Sequence, residues 1–166
     1  MTKKERIEKI TELLDQNYGT DMICYLDYET PWQLLFATIL SAQCTDARVN
    51  MVTKDLYKKY PSVAAFAAAD LKELEQDIRS TGFYHNKAKN IIGCAKRLLE
   101  VYGGIVPDEM EDLLSLPGVG RKTANLILGD IFGKPAMVID THAKRITGLV
   151  GLTKNTDPTK IEMDML

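Results

Sequence analysis

Apolar residues recur at three- and four-residue spacing along almost the whole chain, a pattern that predicts helices and no sheet. Ile7, Ile10, Leu13 and Leu14 share one helix face, opened by Thr2 and Glu5 as a capping box. Thr30-Pro31-Trp32-Gln33 is a second such box, with proline at the first helical position. It leads into Leu34 to Leu40, which is apolar nearly all round and therefore predicts a central, buried helix. Thr45 caps a helix to about Tyr60, while Ser62 and Asp70 cap two short ones, the second ending near Gly82. A long helix from about Asn86 to Tyr102 stops at Gly103-Gly104. Asp108 with Glu111 predicts a short helix to Ser115, and another spans about Gly120 to Phe132, closed by Gly133. Asp140 or Thr141 begins the next, and Asp157-Pro158 begins a last one. That last segment keeps its helical period to Leu166 with no glycine or proline stop, which reads as a helix cut short. Short loops between these elements imply an all-α bundle.

A chain of 166 residues is long enough for one domain or two small ones. No apolar run reaches the roughly 18 residues that span a bilayer, and the N-terminus lacks a signal peptide's apolar core, so a cytoplasmic protein is expected. Cys24, Cys44 and Cys94 lie far apart and fit free thiols in a reducing compartment. The net charge of −2 argues against binding DNA by bulk electrostatics alone. The charge is uneven, however. Lys87, Lys89, Lys96 and Arg97 form one basic run, and Arg121, Lys122, Lys134, Lys144 and Arg145 another, against an acidic stretch from Asp70 to Asp77. Basic strips on an acidic body are compatible with a nucleic-acid partner and equally with solvated helix faces.

Candidate chemistry concentrates in Leu116-Pro117-Gly118-Val119-Gly120-Arg121-Lys122 and in Asp140-Thr141-His142. Glycines between two helices permit a tight reversal and let a phosphate approach the backbone. N–H groups opening the second helix favour an anion, which makes Gly118, Val119 and Gly120 candidate phosphate binders. The same spacing serves a plain helix–turn–helix corner. Lys122 adds a possible nucleophile. A helix's first turn, burial and nearby Arg121 all disfavour the charged amine, although a charged Lys122 could also be one more phosphate contact. A helix from Gly120 to Phe132 rises roughly 18 Å. The segment from Gly133 to Ile139, if extended, covers roughly 23 Å and could return Asp140 to the helix start. Asp140 could equally serve as an N-cap, and His142 reads as structural.

These residues resemble the helix–hairpin–helix, Gly/Pro-Asp superfamily of DNA glycosylases, and within it the endonuclease III branch. Leu40-Ser41-Ala42-Gln43-Cys44-Thr45-Asp46, Gly82-Phe83-Tyr84-His85-Asn86-Lys87-Ala88-Lys89-Asn90-Ile91-Ile92 and Val138-Ile139-Asp140-Thr141-His142 also look like that branch, in the same order. The resemblance implies a six-helix barrel at about residues 24–134, with the helix–hairpin–helix at about 109–132. A partial second helical domain would combine about 1–23 with 135–166. It implies that Lys122 and Asp140 are catalytic: the amine attacks C1′ of a flipped-out nucleotide, expels an oxidised pyrimidine and leads to β-elimination. Gln43 would fill the gap, Phe83 would act as a wedge, and Lys87, Arg121 and Arg145 would join the hairpin in holding DNA. Carbonyls of Leu114, Leu116 and Val119 would hold a monovalent cation. The implied partner is double-stranded DNA with damaged pyrimidines or abasic sites, bound by a monomer without a membrane.

Two alternatives remain open at this point. One is a helix–hairpin–helix module that only binds DNA, against which Lys122 and Asp140 argue. The other is an adenine-mismatch relative, in which the lysine is typically missing and Asp-Gly replaces Asp140-Thr141. Full-length relatives carry four cysteines, C-x6-C-x2-C-x5-C, for a 4Fe–4S cluster. The cysteines here do not match that spacing, so the ligands are expected beyond residue 166 and no cofactor is expected within the chain.

Overall fold

The computed structural model describes residues 1–21 and 23–166; Met22, which falls in the expected 1–23 segment, lies outside the described residues. Among the described residues every regular element is helical. In chain order they are α1 (Lys3–Tyr18), α2 (Pro31–Ser41), α3 (Asp46–Lys59), α4 (Val63–Ala67), α5 (Leu71–Asp77), a 3-10 turn (Arg79–Thr81), α6 (Tyr84–Tyr102), α7 (Met110–Leu114), α8 (Arg121–Asp130), α9 (Thr141–Leu149) and α10 (Pro158–Met165). No helix among them is long and apolar enough to cross a membrane.

The chain divides into two compact units, Cys24–Ala136 and Met1–Ile23 with Met137–Leu166. In the larger unit α2 is the central helix: Leu34, Leu35, Phe36, Ala37 and Leu40 are fully buried, as its all-round apolar sequence requires. Trp32, Phe36, Tyr57 and Phe66 interlock around it, with Phe36 and Phe66 edge-on at 5.0 Å between centroids. The Tyr57 hydroxyl donates to the Gln33 carbonyl at 2.6 Å, which gives that ring's polar end a partner inside the cluster. Burial pushes the Cys94 thiol up to about 12, as expected of an inert core thiol. In the smaller unit Arg6 Nη1 donates to the carbonyls of Val150 and Gly151, tying α1 to the turn after α9.

Side-chain caps explain most helix starts. Thr2, Thr45, Ser62, Asp70, Asp140 and Asp157 each accept a backbone N–H of the first turn. Four predicted boundaries shift, one of them the end of α8, which stops at Asp130 instead of Phe132. The helix after Asp70 ends at Asp77, and a separate 3-10 turn carries the chain to Gly82. The long helix begins at Tyr84, two residues before Asn86. Asp108 does not cap α7, whose N-cap is Glu109; its carboxylate instead pairs with Lys134 Nζ at 3.1 Å. Lys134 also meets Glu109 at 2.8 Å, so this cation is neutralised and clasps the two open ends of α7 and α8 together.

Candidate nucleic-acid interface

The reversal between α7 and α8 is built from buried anchors and bare edges. Leu113, Leu116 and Val119 point into the core, whereas Gly118 and Gly120 are exposed. The Val119 N–H donates to the Leu116 carbonyl at 3.1 Å and closes the turn. Gly118 sits at φ +78°, and a Cβ there would lie 2.8 Å from Asn90 Cβ on α6. The turn therefore packs so closely on α6 that only glycine fits. Gly120 is different: it is the N-cap of α8 at φ −97° with nothing within 4 Å of where its Cβ would be. Without a side chain it cannot cap α8, so α8 starts on an open backbone edge suited to an anion.

Arg121 and Lys122 are the first two residues of α8. Lys122 is exposed, so the expected burial of its amine is not found; the position in the helix's first turn is. Exposure is what a nucleophile needs if its target arrives from solvent. Lys89 and Lys96 on α6 line a hollow with Asn90 and Pro117 beside the hairpin, which adds positive charge flanking the glycines.

Gln43 and Phe83 are the only non-glycine residues with positive φ among the described residues, at +52° and +47°. Both are exposed, Phe83 at 65%. Left-handed backbone at a side chain with a Cβ raises its energy by roughly 1–2 kcal/mol and persists only where the surroundings enforce it. An exposed Phe83 contributes nothing to the core and is free to meet a ligand from solvent.

Lys87 is placed differently from its expected role as a DNA contact. It is 4% exposed, and its Nζ donates to the carbonyls of Leu40 and Thr81, each at 2.8 Å. Burial lowers its pKa, and an ammonium already committed to two carbonyls is not offered to a phosphate.

In the smaller unit, Asp140 is half-buried and caps α9, its Oδ1 accepting the Ala143 N–H at 2.7 Å. Arg145 is exposed on α9 and lines a hollow with Lys144 and Lys154. Lys154 was invisible to the sequence pattern because it falls in a loop with no period; the turn after α9 brings it beside the other two cations. Among the described residues no group of three or more His, Cys, Asp or Glu side chains could hold a metal ion. Cys24 and Cys44 are half-buried and Cys94 is buried, so these thiols do not make a four-cysteine cradle.

The chain is similar to the endonuclease III of Synechocystis sp., 52% identical over 166 residues, covering 99% of this chain and 75% of that protein. It also resembles the solved structure of a non-covalent endonuclease III–DNA complex, at a TM-score of 0.90 and 41% identity, covering 100% of this chain and 77% of that one. A trapped endonuclease III–DNA covalent intermediate, an estranged-adenine complex, matches at a TM-score of 0.91 and 41% identity, covering 100% of this chain and 78% of that one. The helical architecture is thus that of the endonuclease III structures. With residues 36–166 matching its pattern, the chain belongs to the HhH-GPD superfamily of base excision DNA repair proteins.

Proposed function

We propose that this chain acts in base-excision repair as a bifunctional DNA glycosylase and abasic-site lyase on duplexes carrying oxidised pyrimidines. The observation that carries the reading is an exposed lysine in the first turn of a glycine-capped helix, on a chain alike over its whole length to a structure described as a trapped covalent enzyme–DNA intermediate.

The backbone N–H groups of Gly118 and Gly120 hold a phosphate near the start of α8, where the positive end of the helix dipole lies, while the Val119 N–H, given to the Leu116 carbonyl, keeps the turn between them closed. Arg121, Arg145 and the neighbouring lysines add charge for the backbone. The carbonyls of Leu114, Leu116 and Val119 suit a hard monovalent cation in chemistry, the Leu116 oxygen keeping a second lone pair beyond the one used by Val119. Gln43 and Phe83 enter the duplex as the damaged nucleotide leaves the stack.

The lone pair of the Lys122 nitrogen attacks C1′, and the electron pair of the glycosidic bond departs with the base, which takes up a proton. Ring opening leaves an imine between Nζ and C1′. Loss of a C2′ proton then expels the 3′ phosphate by β-elimination, and water releases the amine. Asp140 accepts a proton or balances the positive charge on the sugar. The 4Fe–4S cluster of full-length relatives would need cysteines other than the three here, and no step of this scheme passes through it. This reading assigns a cytoplasmic place beside the chromosome.

The test is borohydride capture of a duplex containing an abasic site or thymine glycol. A covalent complex is expected that Lys122→Ala abolishes, while Lys122→Ala still binds the duplex. Binding without capture by the unmodified chain would leave only a DNA-binding module.

A further inference from the structure

Lys87 joins two places that the sequence keeps apart. Its Nζ bonds the carbonyl of Leu40, in the last turn of α2, and that of Thr81, at the end of the 3-10 turn. Its own N–H donates to the Phe83 carbonyl at 3.1 Å. The first of these carbonyls lies three residues before Gln43 and the second two before Phe83. Both carbonyls stand at C-terminal ends, where the last carbonyls lack helical partners and a cation is the favourable group. This gives a physical reason for a buried lysine where a DNA contact was expected.

Resting on the reading of Gln43 and Phe83 as the inserting pair, we infer that Lys87 is a positioning residue, whose buried ammonium pins the end of α2 to the turn before Phe83 and so presets both strained loops for entry into the duplex. Positive φ at two exposed side chains does not persist by itself. The two hydrogen bonds and the short chain lengths on either side supply the constraint. Thr81 strengthens it from the other side, its hydroxyl donating to the Ile78 carbonyl at 2.8 Å. With the loops already ordered, unstacking the damaged nucleotide carries no further loop entropy.

The experiment compares Lys87→Met with the unmodified chain on two substrates. One is an abasic site in single-stranded DNA, whose capture by borohydride reads the Lys122 amine without any need for insertion. The other is a thymine glycol duplex with 2-aminopurine beside the lesion, whose fluorescence reports unstacking. Capture on the single strand should stay within about twofold, while duplex unstacking and capture fall on the order of tenfold to a hundredfold. Gln43→Ala should weaken duplex capture in the unmodified chain and add little in Lys87→Met, since the residues act in series. Equal losses on both substrates, or effects of Gln43→Ala and Lys87→Met that multiply, overturn the inference and leave Lys87 as a folding residue. If Lys87→Met does not fold, amide order parameters of the unmodified chain decide. Gln43 and Phe83 should be as rigid as the helices, near about 0.85, and values below about 0.6 at either sink the inference. Absence of any duplex capture by the unmodified chain sinks the functional reading and this one with it, whereas normal capture with an unmoved substrate ratio sinks this one alone.

Discussion

Gly118→Ala separates what the hairpin needs from what DNA needs. Two effects act at this position. The backbone stands at φ +78°, where a residue with a Cβ is strained by about 1–2 kcal/mol. The new methyl would also lie 2.8 Å from Asn90 Cβ and 3.2 Å from the Asn90 amide, so the turn must move off α6. Overpacking of this kind costs about 1–3 kcal/mol. Together they destabilise the larger unit by about 2–5 kcal/mol. At a urea slope of about 2 kcal/mol per molar, the midpoint falls by about 1–2.5 M. Trp32, the single tryptophan, sits in the aromatic cluster of the same unit and reports the transition by fluorescence. The two contributions can be divided by repeating the substitution in an Asn90→Gly background, which removes the opposing Cβ. Asn90→Gly alone costs about 0.3 kcal/mol in helix propensity, but there Gly118→Ala should retain only the conformational strain of about 1–2 kcal/mol. A penalty for Gly118→Ala that is under about 1 kcal/mol, or that is the same in both backgrounds, refutes the reasoning.

Gly120→Ala should behave in the opposite way, since φ is −97° and the methyl meets nothing within 4 Å. Folding should change by less than about 1 kcal/mol while duplex affinity drops roughly tenfold, read by fluorescence anisotropy at fixed salt; unchanged affinity removes Gly120 from the interface. Tyr57→Phe removes the hydroxyl bond to the Gln33 carbonyl and should destabilise by about 1–3 kcal/mol. Burial holds the Tyr57 pKa above its ordinary 10.0, so its contribution is complete below pH 10 and fades as the pH rises beyond it. Tyr57→Phe should therefore flatten the alkaline loss of urea midpoint, and an equal alkaline slope would count against the burial argument. Hydrogen bonds from Thr153 at 2.5 Å and Asn155 at 2.7 Å hold the Asp164 carboxyl below its ordinary 3.8, with Thr153 the larger influence. That stabilisation is present above 3.8 and is lost as the pH falls through the lower folded value. Thr153→Val should raise the Asp164 midpoint toward 3.8 in a carboxyl-carbon NMR titration, and an unmoved midpoint contradicts the assignment.

Helix starts were legible because caps are local. Thr2, Thr45, Ser62, Asp70, Asp140 and Asp157 each mark their own helix, and neighbours within four residues decide the outcome. Asp108 looked the same in sequence and misled, because Lys134, 26 residues on, offers the carboxylate a stronger partner than a first-turn N–H. The glycine hairpin was legible as a motif, yet the division of labour inside it was not. Gly118 serves the close approach to Asn90 and Gly120 leaves a helix end open, a difference that depends on where α6 passes. Lys87 was misread for a similar reason. A basic run suggests a charged surface, but α6 turns one of those lysines inward, and sequence spacing alone gives no sign of which carbonyls await it.

The helix α6 is what connects these observations. Lys87, Asn90 and Gly93 are three apart, so they are neighbours on its surface. Lys87 holds the loops of Gln43 and Phe83; Asn90 meets Gly118; and a Cβ on Gly93 would come within 3.3 Å of Pro117. The backbone edge that would bind phosphate and the two side chains that would enter the stack are therefore referenced to a single rigid element of 19 residues. Their spacing cannot drift through flexible connections, because each passes through one helix turn to the next. That arrangement explains why a glycine stands on α6 where Pro117 docks, why the hairpin has a glycine where it meets Asn90, and why a cation is buried at the end nearest the strained loops. It also implies that substitutions along this stripe alter the register between phosphate grip and insertion before they unfold the protein.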